Sequence, residues 1–479
     1  MKKIKLIIGV LVMVVFTVSC QKFLTVNPKT EMTGDALFSS EQGFVSALAG
    51  VYIQMKEDAA YGKALTMTTM EHLISSWDVT ASTTDQKLGL FQYDDAGVET
   101  SLANIFLQQY KIIAGINIIL ANVDSKKAVF SPGNYELIKG ECLALRAYVH
   151  FDLLRLFGPV PANATNANLL AYVKTVSKIA NPHISVDAYK TELLNDLSAA
   201  EALLKDTDPF IKYSVADFKS GTYKSESEIA NYRYLHMNYY AVKALQARAY
   251  LWFGDNSKAY DAAKTVIDAQ NTSAGAKFKL GTAADFAAKD YVLTNEHIFA
   301  LYDFALSTKY TRNFASGNIR KGTNATTINT QLYENTGTDI REANLWEAIS
   351  QGSVNSYILK KYQSPEIVAS LLVDFKQIPL LRISEMYFIA IETAPDAEAQ
   401  TLWNTFRASR NLVAASLSTD PVQKKLEIIK EYRKEFYGEG QGFYAYKRIN
   451  APKASIVFVP ATATVDYTPP IPKTETTNN

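Results

Sequence analysis

Apolar residues recur at helical spacing along most of the chain. From residue 101 to 124, isoleucine and leucine return every three or four positions, as on the buried face of an amphipathic helix. The segment 135–157 has the same period and ends at Gly158-Pro159, a pair typical of a helix end. The pattern therefore predicts a mainly helical protein with few strands. Further helices are predicted at residues 187–205, 380–393, 398–411 and 421–437.

A short phrase rich in small residues occurs twice in this pattern. Leu143-Ala-Leu-Arg-Ala-Tyr148 is similar to Leu245-Gln-Ala-Arg-Ala-Tyr250, and the second copy continues through a Gly-Asp turn into another helix. Small residues on both helices predict a closely packed hairpin that resembles a tetratricopeptide repeat. The predicted fold class is therefore all-α, with helical hairpins of tetratricopeptide type as a scaffold.

Three polar stretches interrupt the helical pattern, at residues 206–229, 305–338 and 349–356, and the last two lie within an excursion at about 302–356. All three are rich in Ser, Thr, Asn and Gly. They are longer than ordinary connections, which favours functional loops over simple links between helices. We expect these irregular excursions to carry the ligand surface.

The first residues are typical of a lipoprotein signal peptide, 1–19. Lysines at positions 2, 3 and 5 precede an apolar run of about 13 residues, Leu6 to Val18, and then Cys20. This run is shorter than the roughly 20 residues of a membrane-spanning helix. We therefore expect cleavage before Cys20, its acylation, and anchoring of the mature chain in a membrane through the acyl chains. An ordinary secretory signal followed by a chance cysteine is the alternative.

The remaining chain is predicted to form a tether and one folded body. Residues 20–33 lack periodicity and contain Pro28, so they are interpreted as the lipid-anchored tether. Residues 34–479 are predicted to form a single domain. The chain has 28 tyrosines against 4 tryptophans, more tyrosine than a core alone requires, so some should lie at a surface.

Net charge and cysteine content limit the functions that the chain can have. Removal of residues 1–19 takes away three lysines and no acid, so the formal charge falls from +1 to −2. This balance argues against nucleic-acid binding. With Cys20 acylated, Cys142 is the remaining thiol, and its apolar helical surroundings predict a small core residue.

Motifs for catalysis are missing from the sequence. There is no His-Glu-x-x-His spacing, no Gly-x-Ser-x-Gly elbow and no phosphate-binding glycine loop. The 48 acidic residues leave open a carboxylate pair for glycoside cleavage, because sequence does not show distance. We predict no enzymatic activity, no cofactor and no metal site. The histidines are scattered, at His72, His150, His183, His236 and His297.

Several phrases, taken in order, resemble the SusD/RagB-like nutrient-binding outer-membrane lipoproteins. None is specific alone, but together they follow the family order over nearly the whole mature chain. They lie at Cys20–Pro28, Ala144–Pro161, Pro379–Tyr387, Phe406–Arg410, Arg433–Gly440 and Pro470–Pro472. One departure is that Gly442 and Ala445 stand where the family has Arg and Asp, so a local charge pair is missing.

Four charged residues within these helical phrases are expected to be structural. Arg146, Arg248, Arg382 and Glu385 recur in amphipathic helices, where a salt bridge or a helix-end contact is the simpler interpretation. They are not binding-site candidates.

The resemblance places the ligand surface on two excursions, about 61–95 and 302–346. A glycan needs flat aromatic faces for its rings and polar side chains for its hydroxyls. Trp77 is the leading candidate because it precedes Asp78 and a polar run, although a core tryptophan is an equal alternative. The candidate ligand-binding residues are Tyr61, Trp77, Asp78 and Tyr93 on the first excursion, and Tyr310, Arg312, Asn313, Phe314 and Trp346 on the second. The same excursions carry Asp85, Phe91 and Arg341, whereas Trp252 and Trp403 are assigned to the core.

The resemblance implies capture of an oligo- or polysaccharide at the cell surface and its delivery to a SusC-like TonB-dependent β-barrel transporter. Two alternatives stay open. The ligand could instead be a peptide, or the chain could be a periplasmic scaffold of tetratricopeptide type that binds other proteins.

Overall fold

The structure is a computed structural model that describes residues 34–165, 167–271, 275–322, 326–351, 354–364 and 375–476. The predicted signal peptide, the acylation site Cys20 and the tether 20–33 lie outside the described residues. Those three assignments stay predictions, as does the division of the chain into segments.

Long helices dominate the part of the chain that the structure describes. The helices predicted at residues 101–124, 135–157, 187–205, 398–411 and 421–437 are all present, with ends displaced by at most five residues. In chain order the long helices are α1 (Glu41–Met55), α2 (Ala96–Val123), α3 (Asn134–Phe157), α4 (Val186–Leu204), α5 (Tyr239–Trp252), α6 (Asn256–Ile267), α7 (Ile383–Thr393), α8 (Asp396–Ser409) and α9 (Pro421–Glu435).

Side-chain caps fix where several of these helices begin. The Ser40 hydroxyl accepts a hydrogen bond from the Gly43 amide at 3.3 Å ahead of α1. The Asp95 carboxylate accepts from the amides of Gly97 and Val98 ahead of α2. Such caps satisfy amides in the first turn that have no partner within the helix.

Consecutive long helices pack against each other from α1 through α8, and α9 packs on α7. The repeated small residues explain the close approach, because Ala244 and Ala247 of α5 and Ala259 and Ala263 of α6 are all fully buried. Buried apolar side chains form one continuous core from Phe38 to Tyr467. The prediction of an all-α fold built from helical hairpins is confirmed.

Strands are few and pair in twos, always antiparallel. The pairs are β1 (Asn168–Leu170) with β2 (Ile184–Ser185), β3 (His297–Tyr302) with β6 (Gln377–Arg382), and β4 (Trp346–Gln351) with β5 (Val354–Leu359).

The start predicted for the helix at 380–393 is three residues too early. Residues 380–382 belong to β6, and α7 starts at Ile383. All six residues of β6 are buried, so they form a short apolar run in which helix and strand have no distinguishing period. Residues 377–382 form a strand because they pair with β3.

The excursions contain more regular structure than expected. The second one includes the β4–β5 hairpin and two π-helical turns, Thr311–Ala315 and Thr327–Leu332. Short α-helices lie at Gly34–Leu37, Thr69–Leu73, Thr84–Gly89, Val215–Ser220, Glu228–Asn231, Ala283–Ala287, Leu306–Tyr310, Ile340–Leu345, Gly442–Arg448 and Lys473–Thr476. Single 3₁₀ turns lie at Lys127–Val129, Pro161–Asn163, Pro209–Ile211, Thr294–Glu296 and Lys453–Ser455.

Three of the four charged residues expected to be structural form buried ion pairs between helices. The fourth, Arg382, ends β6 and pairs with Glu296 at 2.7 Å. Arg146 of α3 meets Asp196 of α4 at 2.7 Å, and Arg248 of α5 meets Glu385 of α7 at 2.6 Å. Cys142, Trp252 and Trp403 are buried in the core, as predicted.

Replacement of Arg248 by Leu should lower the free energy of unfolding by about 3–5 kcal/mol, because Glu385 would be left buried without its partner. Chemical denaturation of the purified chain measures this change. The double replacement Arg248→Leu with Glu385→Leu should recover most of the loss. An equal loss in both variants would show that packing, and not the unpaired charge, sets the cost.

Candidate functional site

Four aromatic side chains meet where the two predicted excursions join. Trp77 packs edge-on against Phe314 and Tyr437, with ring centroids 5.7 and 5.1 Å apart. Trp346 lies 6.4 Å from Trp77 and 5.1 Å from Tyr437. We call Trp77, Phe314, Trp346 and Tyr437 the aromatic cluster. It brings together three of the predicted ligand-binding residues from distant parts of the chain.

The aromatic cluster is buried. Trp77 is only 2% exposed, and its indole nitrogen donates a hydrogen bond to the carbonyl of Met67 at 2.7 Å. Trp346 donates to the Tyr333 hydroxyl at 3.3 Å. The rings therefore hold the two excursions together and present no open face to solvent in this structure. A direct contact between Trp77 and a ligand stays a prediction.

Asp78, the residue after Trp77, lies at the surface. Its amide donates to the carbonyl of Arg320 at 2.9 Å, and its carboxylate accepts from the Gly322 amide at 2.6 Å. Lys321 reaches the same carboxylate at 3.1 Å. Burial lowers the pKa of Lys321, and Asp78 opposes that shift. Because the Asp78 side chain is 50% exposed, it joins the excursions while still facing water.

Arg312 is the exposed cation of the second excursion. Its side chain is 55% exposed and pairs with Asp58, just beyond the end of α1, at 2.9 Å. The neighbouring Lys309 lies 2.9 Å from Asp303 and 3.7 Å from Asp58. We call the three exposed charged residues Asp58, Asp78 and Arg312 the loop face.

Two further predicted residues lie beneath the loop face. The ring of Tyr310 stacks on Phe314 with centroids 5.6 Å apart. Asn313 is buried, and its backbone carbonyl accepts from the Ile319 amide at 3.1 Å. Neither side chain contributes much to the exposed surface, so both support the segment that carries Arg312.

Tyr61 and Tyr93 are not brought to the aromatic cluster. The Tyr61 hydroxyl donates to Asp152 of α3 at 2.9 Å and accepts from Gln109 of α2 at 3.0 Å. The Tyr93 hydroxyl donates to the carbonyl of Asp466 at 2.6 Å. Burial raises the pKa of both phenols well above the ordinary value, so both stay neutral donors. Each hydroxyl is thus engaged in holding the fold.

A group of buried charges lies behind the aromatic cluster and was not predicted as a unit. Glu435, the last residue of α9, accepts hydrogen bonds from Arg341, Arg382 and Arg410 at 2.7–3.1 Å. Lys361 donates to Glu439 at 2.6 Å and to the carbonyl of Tyr437 at 3.0 Å. We call these residues, with Glu296, Glu431 and Asp339, the charge cluster.

Arg341 belongs to the charge cluster and is buried. The prediction that it lies on the second excursion as part of the exposed ligand surface is therefore wrong. The Arg341 guanidinium is fully buried between Asp339 and Glu431, at 2.6 Å from each. Burial alone would raise the pKa of Glu435, but Arg410 and Arg382 hold it well below the usual range. The phrases around Arg382 and Glu435, which carried the family resemblance, were the sequence signal for this cluster.

Glu71 connects the first excursion to the C-terminal phrase. Its carboxylate accepts from the Gly440 amide at 2.8 Å and from the Ser76 hydroxyl. Burial raises the pKa of Glu71 to about 7, although the bonds from Ser76 and Gly440 work in the opposite direction. The Glu71 carboxyl therefore changes its charge near neutral pH.

Two kinds of feature are absent from the described residues. No helix within them is long and apolar enough to cross a membrane. No set of three or more His, Cys, Asp or Glu side chains in the same residues is arranged to hold a metal ion.

Comparison by sequence finds a related family and one related protein. The model of a SusD-like family, described as "starch-binding associating with outer membrane", matches residues 22–216. SusD-like protein P25 of Formosa agariphila is 24% identical over 165 residues. That match covers 33% of this chain and 31% of the relative, so the aligned region spans about a third of the relative's length.

Comparison by structure extends over most of the chain. A SusD superfamily protein of Bacteroides thetaiotaomicron is similar with a TM-score of 0.64 and 20% identity, covering 91% of this chain and 98% of that one. A SusD-like carbohydrate binding protein of Bacteroides vulgatus gives 0.64 and 17%, covering 85% and 83%. Bacteroides fragilis NanU gives 0.64 and 17%, covering 95% and 98%. These similarities show a shared fold.

Replacement of Glu71 by Gln should flatten the dependence of stability on pH. Because the folded-state pKa is raised from 4.5 to about 7, the folded chain keeps a proton that the unfolded chain loses over this range. The Glu71 contribution therefore destabilises the wild type progressively as pH rises from about 4.5 to 7, by up to about 3 kcal/mol. Urea unfolding should show that the free energy of unfolding of the variant, relative to that of the wild type, is higher at pH 8 than at pH 5. An unchanged difference between the two proteins at both pH values would contradict the raised pKa.

Proposed function

We propose that the chain, whose residues 22–216 match a SusD-like family, is a cell-surface lipoprotein that captures a glycan and passes it to a TonB-dependent outer-membrane transporter. The observation that carries the proposal is the match to a family described as starch-binding and associated with the outer membrane. The shared fold over most of the described chain supports it.

The proposed ligand surface is the loop face. Asp78 and Arg312 present an exposed carboxylate and an exposed guanidinium, which suit the hydroxyls of a sugar as acceptor and donor. Trp77, Tyr310, Asn313, Phe314 and Trp346 would act beneath them, by fixing the segments that carry the polar groups. In this proposal Tyr61 and Tyr93 contribute only to the stability of the fold.

The proposed mechanism is capture and delivery, with no bond made or broken. Acylated Cys20 would hold the protein in outer-membrane lipid, and the transporter partner would be a SusC-like β-barrel over which this protein closes. The signal-peptide pattern of residues 1–19 supports the anchor. No cofactor takes part in this scheme.

Calorimetry of the chain from residue 21 onward, against purified polysaccharides and peptide digests, tests the ligand class. One class of glycan should release heat on binding. Arg312→Ala and Asp78→Asn should each weaken that binding about tenfold, because each removes a charged hydrogen-bonding partner. Binding of peptides alone would overturn the glycan proposal while leaving the fold and the family unchanged.

Lys258→Ala is the matched control for Arg312→Ala. Lys258 is 62% exposed and pairs with Asp255 on the scaffold helix α6, away from the loop face. The Lys258→Ala variant should keep the glycan affinity and the melting temperature of the wild type. Trp77→Ala is unsuitable as a binding probe, because removal of a buried tryptophan costs about 3–5 kcal/mol of stability. Unchanged affinity in both loop-face variants would place the ligand elsewhere.

A further inference from the structure

An open groove lies on the scaffold beside α1, separate from the aromatic cluster. It is formed by one side of α1, the segment 228–236 and the end of β3, and it encloses about 570 Å³. This volume is within the range of about 300–1,000 Å³ that is usual for ligand sites. Its walls are mostly apolar, with Tyr52, Tyr232 and Tyr302 among them. We call it the tyrosine groove.

Exposed aromatic rings concentrate at the tyrosine groove. Within the described residues, three aromatic side chains are more than a third exposed: Tyr232 at 55%, Tyr302 at 38% and Phe304 at 76%. The first two line the groove, and Phe304 lies two residues beyond the second. Clustered apolar surface left in contact with water marks a binding site more often than single exposed residues do. These are also the surface tyrosines that the composition predicted.

Polar groups stand among these rings. The Lys56 ammonium donates one hydrogen bond to the Tyr302 carbonyl at 3.1 Å, and an ammonium has three donors. Glu228 adds an exposed carboxylate at the opposite wall. The imidazole of His236 packs against Tyr52 with centroids 4.8 Å apart. Flat rings with separated donors and acceptors suit a sugar, whose faces are apolar and whose edges carry hydroxyls.

The backbone beside the groove is already engaged, which disfavours an extended peptide. The amide of Ala300 donates to the carbonyl of Leu235 at 3.2 Å. On its other side, β3 pairs with β6, with Tyr302 opposite Gln377. A peptide that adds a strand to a sheet needs an open edge. The groove offers side-chain rings instead of such an edge.

A run of polar contacts links the groove to the loop face. Lys309 donates to the carbonyl of Lys56 at 2.8 Å and lies 3.7 Å from Asp58, which pairs with Arg312. Lys56 therefore borders the groove and, through Asp58, the loop face. The tyrosine groove and the Asp58–Arg312 pair of the loop face are therefore neighbours.

We propose that the tyrosine groove and the loop face form one continuous track for an extended polysaccharide. Sugar rings stack on Tyr232 and Tyr302, while Lys56 and Glu228 bind their hydroxyls. This inference rests on the proposed function and adds a second binding surface, the tyrosine groove, for the same glycan chain. A chain that occupies both surfaces gains affinity because its second contact is intramolecular.

Calorimetry with a length series of oligosaccharides, cut from the glycan that the wild type binds, tests the track. Affinity of the wild type should rise with chain length until both surfaces are filled. Tyr232→Ala and Tyr302→Ala should each weaken binding of the long chains about tenfold, with short-chain binding at the loop face unchanged. Tyr232→Phe should bind as the wild type does, because the ring is retained. Ile118→Ala, an exposed change on α2, is the control for loss of apolar surface.

Nitration of tyrosines in the wild type provides a second readout that needs no substitution. Long chains should protect Tyr232 and Tyr302 from tetranitromethane, as read by mass spectrometry, and short chains should not. Equal long-chain affinity in wild type and both alanine variants, with no protection, would overturn the track and leave the proposed function standing. Failure of the wild type to bind any glycan would overturn both.

Discussion

The carboxylate of Glu435 is the contact on which the arrangement of the loop face depends. It accepts hydrogen bonds from three arginines that come from β6, the end of α8 and the second excursion. Buried charges are costly to remove from water, so each guanidinium is stable there only while its acids are in place. The same carboxylate therefore fixes the scaffold and the excursion relative to each other. Lys361 and Glu439 extend this connection to Tyr437 and the aromatic cluster.

The scaffold could be predicted from the sequence because helical packing leaves a local signal. Apolar period and small residues in α3, α5 and α6 are visible within windows of about 15 residues. The start of α7 was misplaced because β6 is a short buried run, whose conformation is set by its partner β3. Local pattern does not report pairing between segments some 80 residues apart.

The candidate site was predictable only in part, for the same reason. The family resemblance located the two excursions, and the structure brings Trp77, Phe314 and Trp346 into one cluster. The sequence left open whether Trp77 is enclosed, since polar neighbours in the chain are compatible with both an exposed and a buried side chain. The tyrosine groove was missed entirely. Its walls come from α1, residues 228–236 and β3, which no local pattern connects.

The central claim is that the loop face is a preformed surface, held by the charge cluster and the aromatic cluster before any ligand arrives. Amide hydrogen exchange of the unliganded chain tests it most directly. The account predicts that the amides of Asp78, Ser316 and Ile319, bonded to the carbonyls of Arg320, Thr311 and Asn313, exchange about as slowly as those of α3. Exchange of these amides at the rate of an open loop, with α3 still protected, would contradict it.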